Sequence, residues 1–280
     1  MVTDTKQAQP FMACYFRTWR DYASNPLENK TSMGDLPPEV DIAFVFPEDE
    51  DRETFWQALK TVYVPTLRAR GTKVVRTVDI SLLYDPAFSD DAEGYERLAQ
   101  HLYATYVEEY DLDGLDVDME RGLTAEQLRR ATGVFQALSR RLGPIAGTGK
   151  LLIYDTNQNG TNALFTAVHT LVDYVLIQSY GRSADPASLQ MTFDTYADKI
   201  PPSKYAIGFS FYEERGPRWG DTRPPIETSR AYAYSQWNPV QGAKAGIFSY
   251  AVDRDGVPEG SDAIVPTDYT WTKTLKHAMK

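Results

Sequence analysis

Glu109-Tyr110-Asp111-Leu112-Asp113-Gly114-Leu115-Asp116-Val117-Asp118-Met119-Glu120 sets three acids, Asp116, Asp118 and Glu120, two residues apart with Leu115, Val117 and Met119 interleaved. A period of two sends successive side chains to opposite faces of a strand. The three carboxyls then share one face and the apolar residues pack behind them. The stretch also counts as a calcium loop: from Glu109, acids stand at positions 1, 3 and 5, a glycine at 6 and Glu120 at 12. That count fails on chemistry. Position 1 is Glu rather than Asp, position 8, normally apolar, is Asp116, and Arg121-Gly122-Leu123-Thr124 does not continue a helix. A buried salt-bridge network is the other structural alternative. Three acids on one face repel each other and must share protons, which is costly in a fold and useful in acid catalysis.

Around this run the chain alternates strand-like and helix-like segments. Apolar runs at Phe11–Arg17, Val40–Phe46, Lys73–Ile80, Leu112–Glu120, Leu151–Tyr154, Tyr174–Tyr180, Tyr205–Phe211 and Ala245–Val252 read as eight strands. Several are too apolar to be half-exposed, as expected of parallel strands covered by helices. Tyr95, Leu98, Leu102, Tyr103, Tyr106 and Val107 repeat at helical spacing. So do Leu128, Ala131, Phe135, Leu138 and Leu142, in a helix opened by the capping box Thr124-Ala125-Glu126-Gln127 and expected to stop at Gly143-Pro144. A helix over Arg52–Arg70 should end at Gly71 with a kink at Pro65, and Tyr269–Met279 closes the set. Eight strands alternating with helices in 280 residues predict an α/β fold, a (β/α)₈ TIM barrel forming a single domain over residues 1–280. A doubly wound open sheet is the competitor.

Bulk properties narrow the function. A net charge of −10 opposes binding of nucleic acid. No apolar stretch approaches the ~20 residues of a membrane span. Val2-Thr3-Asp4-Thr5-Lys6-Gln7 holds no secretory apolar region, so the protein is expected to be secreted with its leader removed, or else cytosolic. Cys14, the single cysteine, excludes an internal disulfide and a thiolate-rich metal site. His101, His169 and His277 lie far apart without ligand spacing, and no metal or cofactor is expected. The acidic run Glu48-Asp49-Glu50-Asp51 reads as a solvated loop.

In a barrel the carboxyl ends of the strands carry the active site. Glu120 would sit there, with Asp118 and Asp116 descending into the core. A carboxyl beside other carboxylates holds its proton to higher pH, and a protonated Glu at a cleft is what a general acid in glycoside hydrolysis requires.

The segment Asp113-Gly114-Leu115-Asp116-Val117-Asp118-Met119-Glu120 matches the DGxDxDxE pattern of glycoside hydrolase family 18. Tyr15-Phe16-Arg17-Thr18-Trp19, Gln178-Ser179-Tyr180 and Gly246-Ile247-Phe248-Ser249-Tyr250-Ala251-Val252-Asp253 resemble the endo-β-N-acetylglucosaminidases of that family, of the flavobacterial F type and the streptococcal IgG-deglycosylating type. Thr77-Val78-Asp79-Ile80 stands where chitinases of the family carry Ser-x-Gly-Gly, Tyr250 stands where many have Trp, and the connection after strand seven is too short for the chitinase insertion domain.

The resemblance implies a substrate-assisted retaining hydrolase that needs no cofactor. Glu120 would protonate the glycosidic oxygen, Asp118 would bond the acetamido N–H, and Asp116 would share a proton with Asp118. Tyr180 and Gln178 would hold the acetamido sugar. Tyr15 and Tyr250 would line that sugar, and Trp19, Tyr212 and Trp219 are candidates for glycan stacking. The implied partner is the N-linked glycan of a glycoprotein, of complex type, cleaved between its two core GlcNAc residues by a monomer. A chitinase of the same family and a non-catalytic carbohydrate-binding barrel are the alternatives; an intact Glu120 argues against the second.

Overall fold

The computed structural model describes residues 9–48 and 52–279. The expectations for Val2–Gln7 and for most of the acidic run at 48–51 lie outside them. Eight parallel strands close into a barrel in sequence order: β1 (Phe11–Arg17), β2 (Ile42–Phe46), β3 (Lys73–Asp79), β4 (Gly114–Met119), β5 (Leu151–Thr156), β6 (Tyr174–Gln178), β7 (Tyr205–Ser210) and β8 (Gly246–Tyr250). Closure is made by β1 pairing with β8. The open-sheet alternative is thereby excluded. The 109–120 run is a strand and the turn before it, not a calcium loop.

Alternation sorts the strand residues into two cores. Phe11, Ala13, Tyr15, Phe44, Val75, Ile153, Leu176 and Phe248 pack inside the barrel. Leu115, Val117 and Met119, like Met12, Cys14 and Phe16, pack outward against the helices. Asp116 and Asp118 therefore point inward. Cys14 is a buried free thiol on the outer face, pushed above its ordinary pKa by burial.

The helices differ from expectation where backbone groups need rearranging. The 52–70 segment is helical in three pieces, Glu53–Ala58, a π-turn at Leu59–Tyr63 and Val64–Ala69. Pro65 lacks an N–H and crowds the preceding turn, and the widened π-turn just before it gives the relief. The second helix, Ala92–Tyr103, also runs into a π-turn, Ala104–Glu108. The capping box forms as read: Thr124 Oγ1 accepts from Gln127 N at 3.2 Å, and Gln127 Oε1 accepts from Thr124 N at 2.9 Å. That helix ends at Leu138, and Gly143-Pro144 opens a separate short turn, Gly143–Ala146, rather than ending the longer one.

At the carboxyl end of β1, Arg17 is fully buried among carboxylates. Its guanidinium makes a fork to Asp253, with Nε at 3.0 Å and Nη2 at 2.6 Å, and reaches Glu213 at 3.1 Å and Glu214 at 2.9 Å. Removing one member of a buried charge cluster leaves the others uncompensated. Arg17→Met is expected to lower stability by about 3–5 kcal/mol, read from the midpoint of urea unfolding.

Candidate active site

Strand register builds the acid row. Thr77 of β3 lies beside Asp116 of β4, and Asp79 and Asp155 flank Asp118 on either side. Asp116 is fully buried beneath the mouth; its Oδ2 accepts from Tyr15 Oη and Thr77 Oγ1, each at 2.9 Å. Its Oδ1 is buried without a hydrogen-bond partner among the described residues, and the Asp116 charge acts on Asp118. Asp118 is half-buried, and its Oδ1 accepts from Gln178 Nε2 at 3.3 Å. Glu120, one residue past β4, is exposed and accepts from Asn157 Nδ2 at 3.2 Å.

These groups open onto a cavity of about 480 Å³ lined by Tyr15, Phe46, Asp118, Glu120, Asp155, Asn157, Gln178, Tyr180, Arg182, Glu213, Pro217, Trp219 and Tyr250. That volume suits a sugar or two. Gln178 is the last residue of β6, so Tyr180 stands in the turn beyond it rather than on the strand. The turn is fixed by Gly181, whose φ of +67° disfavours a side chain and whose added Cβ would meet the Trp219 ring at 2.8 Å. Asp221 accepts from Gly181 N at 3.1 Å and from Ser210 N at 3.0 Å, tying this turn to the end of β7. Trp219 thus lies over Tyr180, ring centroids 6.2 Å apart. Arg17 holds Glu213 on the opposite wall.

Burial sets the protonation of the acid row. It pushes Asp116 up to about 7, against the bonds from Thr77 and Tyr15. It pushes Asp118 up to about 8, helped by the charges of Glu120 and Asp116. Asp155 is raised well above the usual carboxylate range by burial and then by Asp116 and Asp118. Burial and the nearby acids also keep the Tyr180 hydroxyl protonated, hence a donor.

Unfolded aspartates lose their protons near pH 4. Between about pH 4 and pH 8 Asp116 and Asp118 bind more protons in the folded protein than in the unfolded chain, so this pair makes stability fall as pH rises through that window. Asp116→Asn keeps an acceptor for Tyr15 and Thr77 and removes the titration. Its melting temperature is expected to gain on the wild type as pH goes from about 4 to about 8; a constant offset across that range would contradict the assignment.

Seven of the ten residues singled out from the sequence line the cavity: Tyr15, Asp118, Glu120, Gln178, Tyr180, Trp219 and Tyr250. Asp116 lies below them. Trp19 is half-buried and outside the cavity lining, its ring centroid 6.1 Å from that of Phe46 and beneath the Arg17 guanidinium. Tyr212 is buried outside the cavity lining, and its hydroxyl donates to Asp262 at 3.0 Å. Phe46, Asp155, Asn157, Arg182 and Glu213 escaped the sequence reading. Asp155 carried a signal: it follows Leu151 and Ile153 at the inward parity of β5, an acid near the carboxyl end of an apolar strand.

A closed parallel barrel with proton-holding carboxyls at the mouth of one strand, beside a sugar-sized aromatic cavity, defines a glycoside hydrolase. The model of the endo-β-N-acetylglucosaminidase EndoS TIM-barrel domain matches residues 14–249, and the chain belongs to this family of endo-β-N-acetylglucosaminidases. It is 42% identical to endo-β-N-acetylglucosaminidase F2 of Elizabethkingia meningoseptica, over 87% of this chain and 73% of that one. It is 33% identical to endo-β-N-acetylglucosaminidase EndoS of Streptococcus pyogenes serotype M1, of whose length it spans only 33%. The crystal structure of an endo-β-N-acetylglucosaminidase from Cordyceps militaris superimposes with a TM-score of 0.94 at 52% identity, over 97% of this chain and 91% of that one. A mutant form of that enzyme has been solved in complex with fucosyl-N-acetylglucosamine-Asn.

Proposed function

We propose that the protein hydrolyses the β-1,4 bond between the two core GlcNAc residues of complex-type Asn-linked glycans, and that it accepts core fucose. The observation that carries this reading is the convergence of Glu120, Asp118, Gln178 and Tyr180 on one cavity of about 480 Å³. The Cordyceps complex supports the core-fucose extension. Glu120 protonates the glycosidic oxygen as the bond to the anomeric carbon breaks. The substrate's acetamido oxygen forms the new bond to that carbon, giving an oxazolinium. Asp118 accepts the acetamido N–H through a carboxyl oxygen and, as it gives up the proton that burial holds on it, balances the developing positive charge. Tyr180 donates to the acetamido oxygen and orients it. Glu120 then takes a proton from the water that opens the ring.

Incubation with a complex-type glycoprotein, followed by intact mass, tests the reading. The glycan should leave, with one HexNAc remaining on the protein, carrying a deoxyhexose where the core was fucosylated. An unchanged mass together with cleavage of chitin oligomers would overturn it in favour of a chitinase.

A further inference from the structure

One carboxyl at the floor of the cavity has no task in this mechanism. Asp155 is the next-to-last residue of β5, is 2% exposed and is the direct register partner of Asp118. Its Oδ2 accepts from Gln178 Nε2 at 2.7 Å, and the same nitrogen reaches Asp118 Oδ1 at 3.3 Å. Its Oδ1 is buried without a hydrogen-bond partner among the described residues. The ionisable groups that face it are Asp116 and Asp118 from β4, Glu120 beyond that strand, Tyr15 from β1 and Tyr180 beyond β6. The arginine on this wall, Arg182, donates to the Asn157 carbonyl. A buried carboxylate oxygen with no donor, no cation and two acids beside it is costly when charged. A neutral acid avoids that cost, and its carbonyl oxygen still accepts from Gln178.

We propose that Asp155 is a positioning residue that works as a neutral carboxylic acid, holding the Gln178 amide nitrogen inward so that Gln178 Oε1 faces the sugar as an acceptor. An amide NH₂ has two donors, and Asp155 and Asp118 use both. Only Oε1 remains to meet the substrate, where it suits a hydroxyl or N–H donor.

The inference rests on the reading of this cavity as the acetamido-sugar site. Asp155→Leu removes the acceptor and is expected to lower kcat/KM by about 10- to 100-fold. Asp155→Asn keeps a carbonyl acceptor without charge and should recover most of that loss. In a Gln178→Ala background Asp155→Leu should cost no further factor, because Asp155 acts through Gln178. Infrared difference spectra at neutral pH should show a carboxylic-acid C=O band in the wild type that Asp155→Asn lacks. Asn as damaging as Leu, losses that multiply in the double variant, or absence of the acid band would each overturn the inference. If Asp155→Leu does not fold, judged by near-UV circular dichroism, the Asn variant and the infrared band decide. Glu120→Gln separates the two levels. Full activity there sinks the reading of the cavity, whereas an inactive Glu120→Gln beside an unimpaired Asp155→Leu sinks only the role of Asp155.

Discussion

Glu120→Gln is expected to lower kcat by at least about 10³-fold while leaving the protein folded. General acid–base catalysis contributes about 10²–10⁴, and here one carboxyl serves both the departure of the sugar and the attack of water. Its place one residue beyond β4 makes the substitution structurally mild. The side chain is exposed, the bond it accepts from Asn157 Nδ2 survives through Gln Oε1, and the amide can still hydrogen-bond Asp118. Surface changes of this kind shift stability by less than about 0.5 kcal/mol. Turnover of a defined glycopeptide and a thermal melt check both halves. Retention of a tenth of the wild-type kcat would remove Glu120 from the proton-transfer role.

The second large effect is expected at Asp118. Replacing it with Asn presents either a second donor or a weaker acceptor to the acetamido N–H and removes the charge that faces the oxazolinium. Losses of about 10²–10³ in kcat follow the removal of one such preorganised electrostatic partner. KM should change little, because the interaction strengthens only as the ring forms. A glycan carried on a good aryl leaving group tells the two acids apart. Such a substrate needs no protonation, so bond cleavage by Glu120→Gln should recover on it, while Asp118→Asn should stay slow. Recovery of both variants to the same degree would mean that the acids do not divide the work as proposed.

Most of the fold was legible because the strands are short, apolar and alternate with helices, and a period of two assigns faces without any tertiary knowledge. Leu115, Val117 and Met119 had to lie outward once Asp116, Asp118 and Glu120 were read as one face. Strand ends were harder. The runs at Leu151–Tyr154 and Tyr174–Tyr180 end in the structure at Thr156 and Gln178, because apolar composition does not tell the last ladder residue from the first residue of a turn. That uncertainty hid Asp155, one position past the limit read for its strand. The site outside β4 was readable only where a motif pointed. Asn157, Arg182 and Glu213 stand on loops whose course depends on distant partners. Glu213 reaches the cavity wall because a buried arginine 196 residues earlier in the chain holds it there. Tyr212 is buried away from the cavity for the converse reason. An aromatic residue in a top-face loop is as readily drawn under a neighbour as left facing solvent.

The barrel seam joins the two ends of this design. Tyr15, from the first strand, donates to Asp116 and forms part of the cavity wall; Tyr250, from the last, forms another part. A ribosome delivers them more than 230 residues apart. Until the eighth strand emerges and zips onto the first, the chain holds Asp116, Asp118 and Glu120 without a closed barrel around them. Nascent or truncated chains are therefore expected to be silent toward glycans, and activity should appear as a single late event in biosynthesis rather than grow with chain length.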